Sequence, residues 1–238
     1  MENEIIFISS TSKDGNMSFR KSNPEDALQN RLNFFKKNNL NYEDVVGMTP
    51  THTNSIKVVT SNNKGEIIDE TDGMISINPG VILFTMTGDC IPLAVVSKDK
   101  NLIGLFHISW INADNDFMKD IIEAFQTEFQ TSPQELELTI GPSICSDCYI
   151  VENPSQKDTP KWKPYLKKIP TTYQLQPTTY SINLWQMVED RFKKLGIPEK
   201  QIENLKQCTY HLDYFSHRQS SVEKLPDDYR FGTLLTLE

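Results

Sequence analysis

Apolar residues recur at helical spacing in some stretches of this chain and run as short β-prone segments in others. A first helix is predicted over Pro24–Lys37, with Ala27, Leu28, Leu32 and Phe35 as its buried stripe and Arg31 near the edge of that face. Asn23 is placed to cap it, Pro24 suits the first turn, and Glu25 and Asp26 favour the positive helix end. A second helix is expected over 114–129, where Phe117, Ile121, Ile122, Phe125 and Phe129 form a core stripe. A third is expected to be capped by Ser181 and to end at Gly196, with Pro198 beyond it.

Strand-like runs begin with Ile5-Ile6-Phe7-Ile8 and continue across 45–96, punctuated by turns at Asn62-Asn63-Lys64-Gly65 and Asn78-Pro79-Gly80. Further strands are predicted at 102–106, 136–140 and 231–237. Strands and helices mix without a clean βαβ alternation, so the predicted class is α+β, with 1–238 read as a single domain. The stretch 153–177 holds five prolines and little periodicity; it reads as a long excursion across the surface and a candidate lid.

Composition narrows the function. The 238 residues suffice for a substantial core, and a net charge of -8 argues against a nucleic-acid footprint, which needs clustered basic residues. A small anion held locally by two or three arginines remains compatible with it. No stretch approaches the ~18–20 apolar residues of a membrane span. The acidic Met1-Glu2-Asn3-Glu4 lacks the basic start of a signal peptide, so a cytoplasmic location is expected. There, Cys90, Cys145, Cys148 and Cys208 are free thiols or metal ligands rather than disulfides.

Of the four histidines in the chain, two fall in one constellation with a cysteine. Cys90 and His107 sit in apolar, β-prone runs joined by a predicted hairpin over 97–101, and His52 lies just before the strand-like Ile56-Lys57-Val58-Val59. One thiolate and two imidazoles suit Zn²⁺ and leave a fourth position open for water. The competing reading is a cysteine packed as a small hydrophobe beside two ordinary histidines. Asp89, next to Cys90, is a candidate to orient a ligand histidine or to carry a proton; a turn aspartate bonded to local amides is the alternative. Arg218 and Arg230 lie beside aromatics, as suits a bidentate grip on phosphate or carboxylate, or are solvated cations. Cys145-Ser146-Asp147-Cys148 is followed by the strand-like Tyr149-Ile150-Val151, which argues against a redox pair and for a structural or incidental role.

Read in order, these segments resemble the YfiH family, also called the laccase-domain or multicopper polyphenol oxidase family. The resemblance rests on Asp14-Gly15-Asn16-Met17-Ser18-Phe19, Asn30-Arg31, Asp72-Gly73-Met74-Ile75-Ser76 and Thr87-Gly88-Asp89-Cys90-Ile91-Pro92. It continues through Ile140-Gly141-Pro142-Ser143-Ile144 with Cys148-Tyr149, then Cys208-Thr209, Phe215-Ser216-His217-Arg218 and Arg230-Phe231. It implies an αββα-layered fold and a zinc held by His52, Cys90 and His107, with zinc favoured over copper because a multicopper site needs many more imidazoles. It implies purine nucleoside phosphorylase chemistry on adenosine, inosine, guanosine or methylthioadenosine, and adenosine deaminase chemistry. Asp89 and Cys90 are then the catalytic candidates, and Arg31, Arg218 and Arg230 the candidates for holding phosphate. The expected partners are a purine nucleoside and phosphate, with no nucleic acid or membrane, for a monomer or weak homo-oligomer. The chain departs from the family's His-Ala-Gly-Trp-Arg-Gly at His107-Ile108-Ser109-Trp110-Ile111-Asn112, losing a basic residue at Ile111 and both glycines. That motivates an alternative, a divergent non-catalytic zinc-binding protein. A third reading is a hydrolase that edits cell-wall peptide.

Overall fold

In the computed structural model, which describes residues 4–20, 23–170, 178–224 and 229–237, the chain opens with β1 (Ile5–Ser9) and α1 (Pro24–Lys37). Strands β2 (Val45–Met48), β3 (Ile56–Val58), β4 (Ile67–Ile68), β5 (Gly73–Ser76), β6 (Ile82–Thr87), β7 (Ile91–Ser97) and β8 (Leu102–Ile108) follow. Two helices, α2 (Trp110–Asp114) and α3 (Phe117–Phe129), lead to β9 (Glu137–Ile140), β10 (Ile150–Glu152), β11 (Leu166–Ile169) and β12 (Thr179–Ile182). The last elements are α4 (Leu184–Lys194), β13 (Ile202–Asn204), α5 (His217–Glu223) and β14 (Phe231–Leu237).

Two mixed sheets form the centre, one in the order β1-β14-β6-β2-β4 and one in the order β13-β9-β7-β8-β5-β3. A third, small sheet runs β10-β12-β11. Side chains on successive strand residues point to opposite faces, and this alternation separates three apolar layers. Leu83, Ala94, Val96, Ile103, Leu105, Leu235 and Leu237 meet between the two sheets. On the outer face of the first sheet, Ile82, Phe84 and Leu234 pack with Phe34 and Phe35 of α1. On the outer face of the second, Ile91, Leu93, Val95 and Phe106 pack with α3 and α4. Both faces of the central strands are covered, which is why they read as continuous apolar runs. The result is the α+β, αββα layering.

Several predicted boundaries move. In α1 the buried residues are Ala27, Arg31, Phe34 and Phe35, whereas Leu28 and Leu32 are 41% and 39% exposed. The face turns because the Arg31 guanidinium is drawn inward: Nε and Nη2 donate to the Met17 carbonyl at 2.9 and 2.7 Å, and its carbon lies 4.0 Å from the Phe19 ring centroid. The helix expected over 114–129 is α3, which starts at Phe117; Asn115 and Asp116, the latter with a left-handed φ of 59°, separate it from the short α2 that ends at Asp114. Ser181 lies in β12; Asn183 caps α4 instead, accepting from the Gln186 amide at 3.1 Å. The proline-rich stretch is anchored up to residue 170: Trp162 is fully buried and β11 pairs with β12. Residues 171–177 of the predicted excursion lie outside the described residues.

Candidate active site

The β7–β8 hairpin closes the sequence gap between Cys90 and His107. Its antiparallel register pairs Ile91 with Ile108 and Pro92 with His107, so Cys90, just before β7, lands at the same sheet end as His107. His52 arrives from the loop before β3. One ligand atom from each of His52, Cys90 and His107 lies within 4.8 Å of the others. The two imidazoles stack with centroids 5.3 Å apart and planes 15° apart.

Asp72 builds the His52 loop. Its buried carboxylate accepts from four consecutive backbone amides, those of Thr51, His52, Thr53 and Asn54, at 2.9, 2.8, 2.6 and 2.8 Å. That grip holds His52 and Asn54 at φ of 62° and 65°, a region unfavourable for side-chain-bearing residues. The Asp72 carbonyl also accepts from the His107 amide at 2.8 Å, so one residue registers both histidines.

The electrostatics suit a metal. Burial, with His52 next in weight, pushes the His107 imidazole down to about 3, so it stays neutral with a lone pair available. Its buried Nδ1 has no hydrogen-bond partner among the described residues. Burial and the adjacent Asp89 push the Cys90 thiol up to about 12, so a metal must displace its proton on binding. The imidazoles of His52 and His107, the latter neutral and with an unsatisfied buried nitrogen, and the Cys90 sulfur form a donor set that fits zinc.

These donors open into a cavity of about 820 Å³, whose wall includes Arg31, Arg218, Arg230, Asp89, Ile111 and Tyr149. All three sequence-predicted arginines therefore reach it. Arg31 is largely committed to the Met17 carbonyl, leaving Nη1 at 3.3 Å from the Tyr42 hydroxyl. The Arg218 guanidinium lies 5.9 Å from the Tyr149 ring centroid. Arg230 crosses Gly88 so closely that a Cβ there would meet its Cδ at 3.0 Å, so the residue before Asp89 is one without a side chain.

Asp89 is bonded at long range rather than to the amides of its own turn: its carboxylate accepts from the Thr209 hydroxyl and the Arg218 backbone amide, each at 2.6 Å. With φ at 88° it ties the β6–β7 turn to the C-terminal segment. The departures at Ser109 and Asn112 form a reciprocal cap at the start of α2. The Asn112 side-chain oxygen accepts from the Ser109 hydroxyl at 2.6 Å, and Ser109 Oγ accepts from the Asn112 amide at 3.2 Å. Asn112 Nδ2 reaches Asn54 Oδ1 at 3.2 Å, linking α2 to the His52 loop. Ile111 presents an apolar side chain to the cavity instead of a cation.

Sequence reasoning missed Asp72, Thr209, Tyr149 and Arg20 as parts of this site. Arg20 also lines the cavity and directly follows the quoted 14–19 motif, which was its available signal. Gly15 of that motif would place a Cβ 2.4 Å from Asn30 Nδ2, and Asn30 donates to the Asn16 carbonyl at 3.0 Å, so two motifs distant in sequence meet here.

Known proteins resemble this chain in sequence and in fold. A purine nucleoside phosphorylase of Bacteroides thetaiotaomicron is 26% identical over 166 residues, 69% of this chain. That match covers 61% of the relative, less than two thirds of its length. Adenosine deaminase RL5, from an unknown prokaryotic organism, is 24% identical over 131 residues, 52% of this chain and 50% of the relative. The crystal structure of YlmD from Geobacillus stearothermophilus superposes with a TM-score of 0.82 at 21% identity, over 99% of this chain and 92% of that one, a likeness of fold. A family model is matched from residue 8 to residue 232, and the chain belongs to the multi-copper polyphenol oxidoreductase laccase family, the laccase-like YfiH family.

Proposed function

We propose that this chain is a zinc-dependent enzyme of purine nucleosides, carrying out phosphorolysis of adenosine, inosine, guanosine or methylthioadenosine and deamination of adenosine. The observation that carries the reading is the convergence of His52, Cys90, His107 and three arginines on one cavity of about 820 Å³. Small-molecule sites typically occupy about 300–1,000 Å³. The relatives named as a phosphorylase and a deaminase support it. The family's copper name fits the residues less well: among the described residues, two imidazoles, His52 and His107, cluster with Cys90, and the chain has four histidines in all.

Zinc held by His52, Cys90 and His107 would supply a Lewis acid with an open coordination position. The remaining roles belong to the chain. In phosphorolysis a phosphate oxygen bonds to C1′ of the ribose as the bond from C1′ to N9 breaks, and the purine leaves carrying the bonding pair and takes up a proton. Arg218, Arg230 and Arg31, all on the cavity wall, hold the phosphate. Trp110, Ile111 and Tyr149 give the purine an apolar wall. In deamination water adds at C6 and ammonia leaves. Asp89 is the proposed proton carrier, since each of its oxygens retains a second lone pair beside the bond it already accepts.

The test is chromatography of the products formed by zinc-loaded protein with adenosine in phosphate buffer. Adenine with ribose 1-phosphate, or inosine, is the expected outcome. No product from protein holding stoichiometric zinc would overturn the reading. Ile111 favours a second reading, a zinc-binding protein without turnover, because the resemblance puts a basic residue at this point of the wall.

A further inference from the structure

Cys145-x-x-Cys148 has a counterpart that only the fold reveals. The loop after β13 carries Cys208-x-x-His211, and it lies directly against the loop after β9. Ligand atoms from Cys145, Cys148, Cys208 and His211 all fall within 4.8 Å of one another. The two turns have the same backbone form: the Cys148 amide donates to the Cys145 carbonyl at 3.1 Å, and the His211 amide to the Cys208 carbonyl at 3.2 Å. Such turns aim their first and fourth side chains at one point. The Cys145 amide donates to Cys208 Sγ at 3.4 Å, a contact that favours the thiolate, and Cys148 Sγ lies 3.1 Å from His211 Nε2. All four cysteines of the chain are free thiols.

We propose that Cys145, Cys148, Cys208 and His211 form a second, structural zinc site, distinct from the cavity centre. Three sulfurs and one imidazole nitrogen are a closed tetrahedral set for zinc, with no position left for substrate. Each thiol releases its proton to solvent as its sulfur binds the metal. The position explains its use. Ile144 and Tyr149, flanking the first pair, line the cavity. Thr209, next to Cys208, holds Asp89, and the Ile144 amide donates to the Asp89 carbonyl at 3.1 Å. The zinc clamps two loops whose neighbouring residues shape the candidate active site.

Metal content of the full chain, purified without added thiol and measured by mass spectrometry, tests this independently of nucleoside turnover. Two zincs per chain are expected, with one retained in Cys90→Ala and none in Cys90→Ala combined with Cys208→Ser. Cobalt bound to Cys90→Ala should give the intense sulfur-to-metal absorption of a three-thiolate site. His211 is exposed, so His211→Ala in the Cys90→Ala background should stay folded and lower zinc affinity at least tenfold against a competing chelator. Zinc-free Cys90→Ala, an unchanged affinity in the His211→Ala pair, or a disulfide between Cys145 and Cys148 would overturn the site.

Discussion

At the scale of single residues, the candidate centre depends both on its proposed ligands and on a group that binds no metal itself. Cys90 supplies the sulfur, and Cys90→Ala should lose metal from the cavity centre together with turnover; full activity in metal-free variant protein would remove this centre from the mechanism. Asp72 is the less visible case. A hydrogen bond to a charged group contributes about 1.5–3 kcal/mol, and the Asp72 carboxylate accepts four from amides of the His52 loop. Asp72→Asn turns an acceptor oxygen into a donor facing those amides. We expect a loss of about 3 kcal/mol in urea unfolding, accompanied by weaker zinc retention. An unchanged urea midpoint with full zinc content would show that the loop holds its shape without the charge.

At the scale of elements, two stretches that look like departures are built into the fold. Ser109 and Asn112 replace glycines of the resembled motif and cap α2 reciprocally. Ser109→Ala should cost about 1 kcal/mol, the usual value of a cap, read as a fall in Tm. Ile111, one residue before Asn112, keeps the wall apolar, so Ile111→Arg separates the two functional readings: higher phosphorolysis would mark an enzyme limited by phosphate binding, and no change would favour the non-catalytic one. The proline-rich stretch runs largely exposed between 153 and 170, but a buried side chain anchors it. Trp162 is fully buried among α3 and α4 residues and donates to Asp114 Oδ1 at 2.8 Å. Trp162→Ala should therefore destabilise by about 3–5 kcal/mol, as for buried aromatics elsewhere; a value near zero would show that this anchor contributes nothing to stability.

At the scale of the whole molecule, the cavity is where distant parts of the chain meet. Arg31 comes from α1, His107 from β8, Arg218 from α5 and Arg230 from just before β14. A metal held by His52, Cys90 and His107 would join two loops and the end of β8, a set that only folding brings together. Zinc at a hundredfold excess over its dissociation constant adds about 2.7 kcal/mol to stability. Chelation should then lower Tm, and readdition of zinc should restore it; a Tm indifferent to chelator in protein proven to have lost its zinc would mean that the loops are held without it. Among the described residues no helix is long and apolar enough to cross a membrane.

Local pattern alone determined much of this. The helix over Pro24–Lys37, the core stripe of α3 and the strand at 231–237 were legible because period 3.6 and period 2 are properties of neighbouring residues. The grouping of His52, Cys90 and His107 was expected as well, but through motifs resembling a known family, because their spacing is no local zinc signature. The tertiary structure alone decided which face of α1 is buried, since that depends on a carbonyl fourteen residues earlier that draws Arg31 inward. It also decided that Asp72 holds the His52 loop, that Asp89 bonds Thr209 and Arg218, and that His211 joins three cysteines. Each of these is a contact between residues far apart in sequence, made by packing two sheets and their loops together, and no local periodicity carries a trace of it.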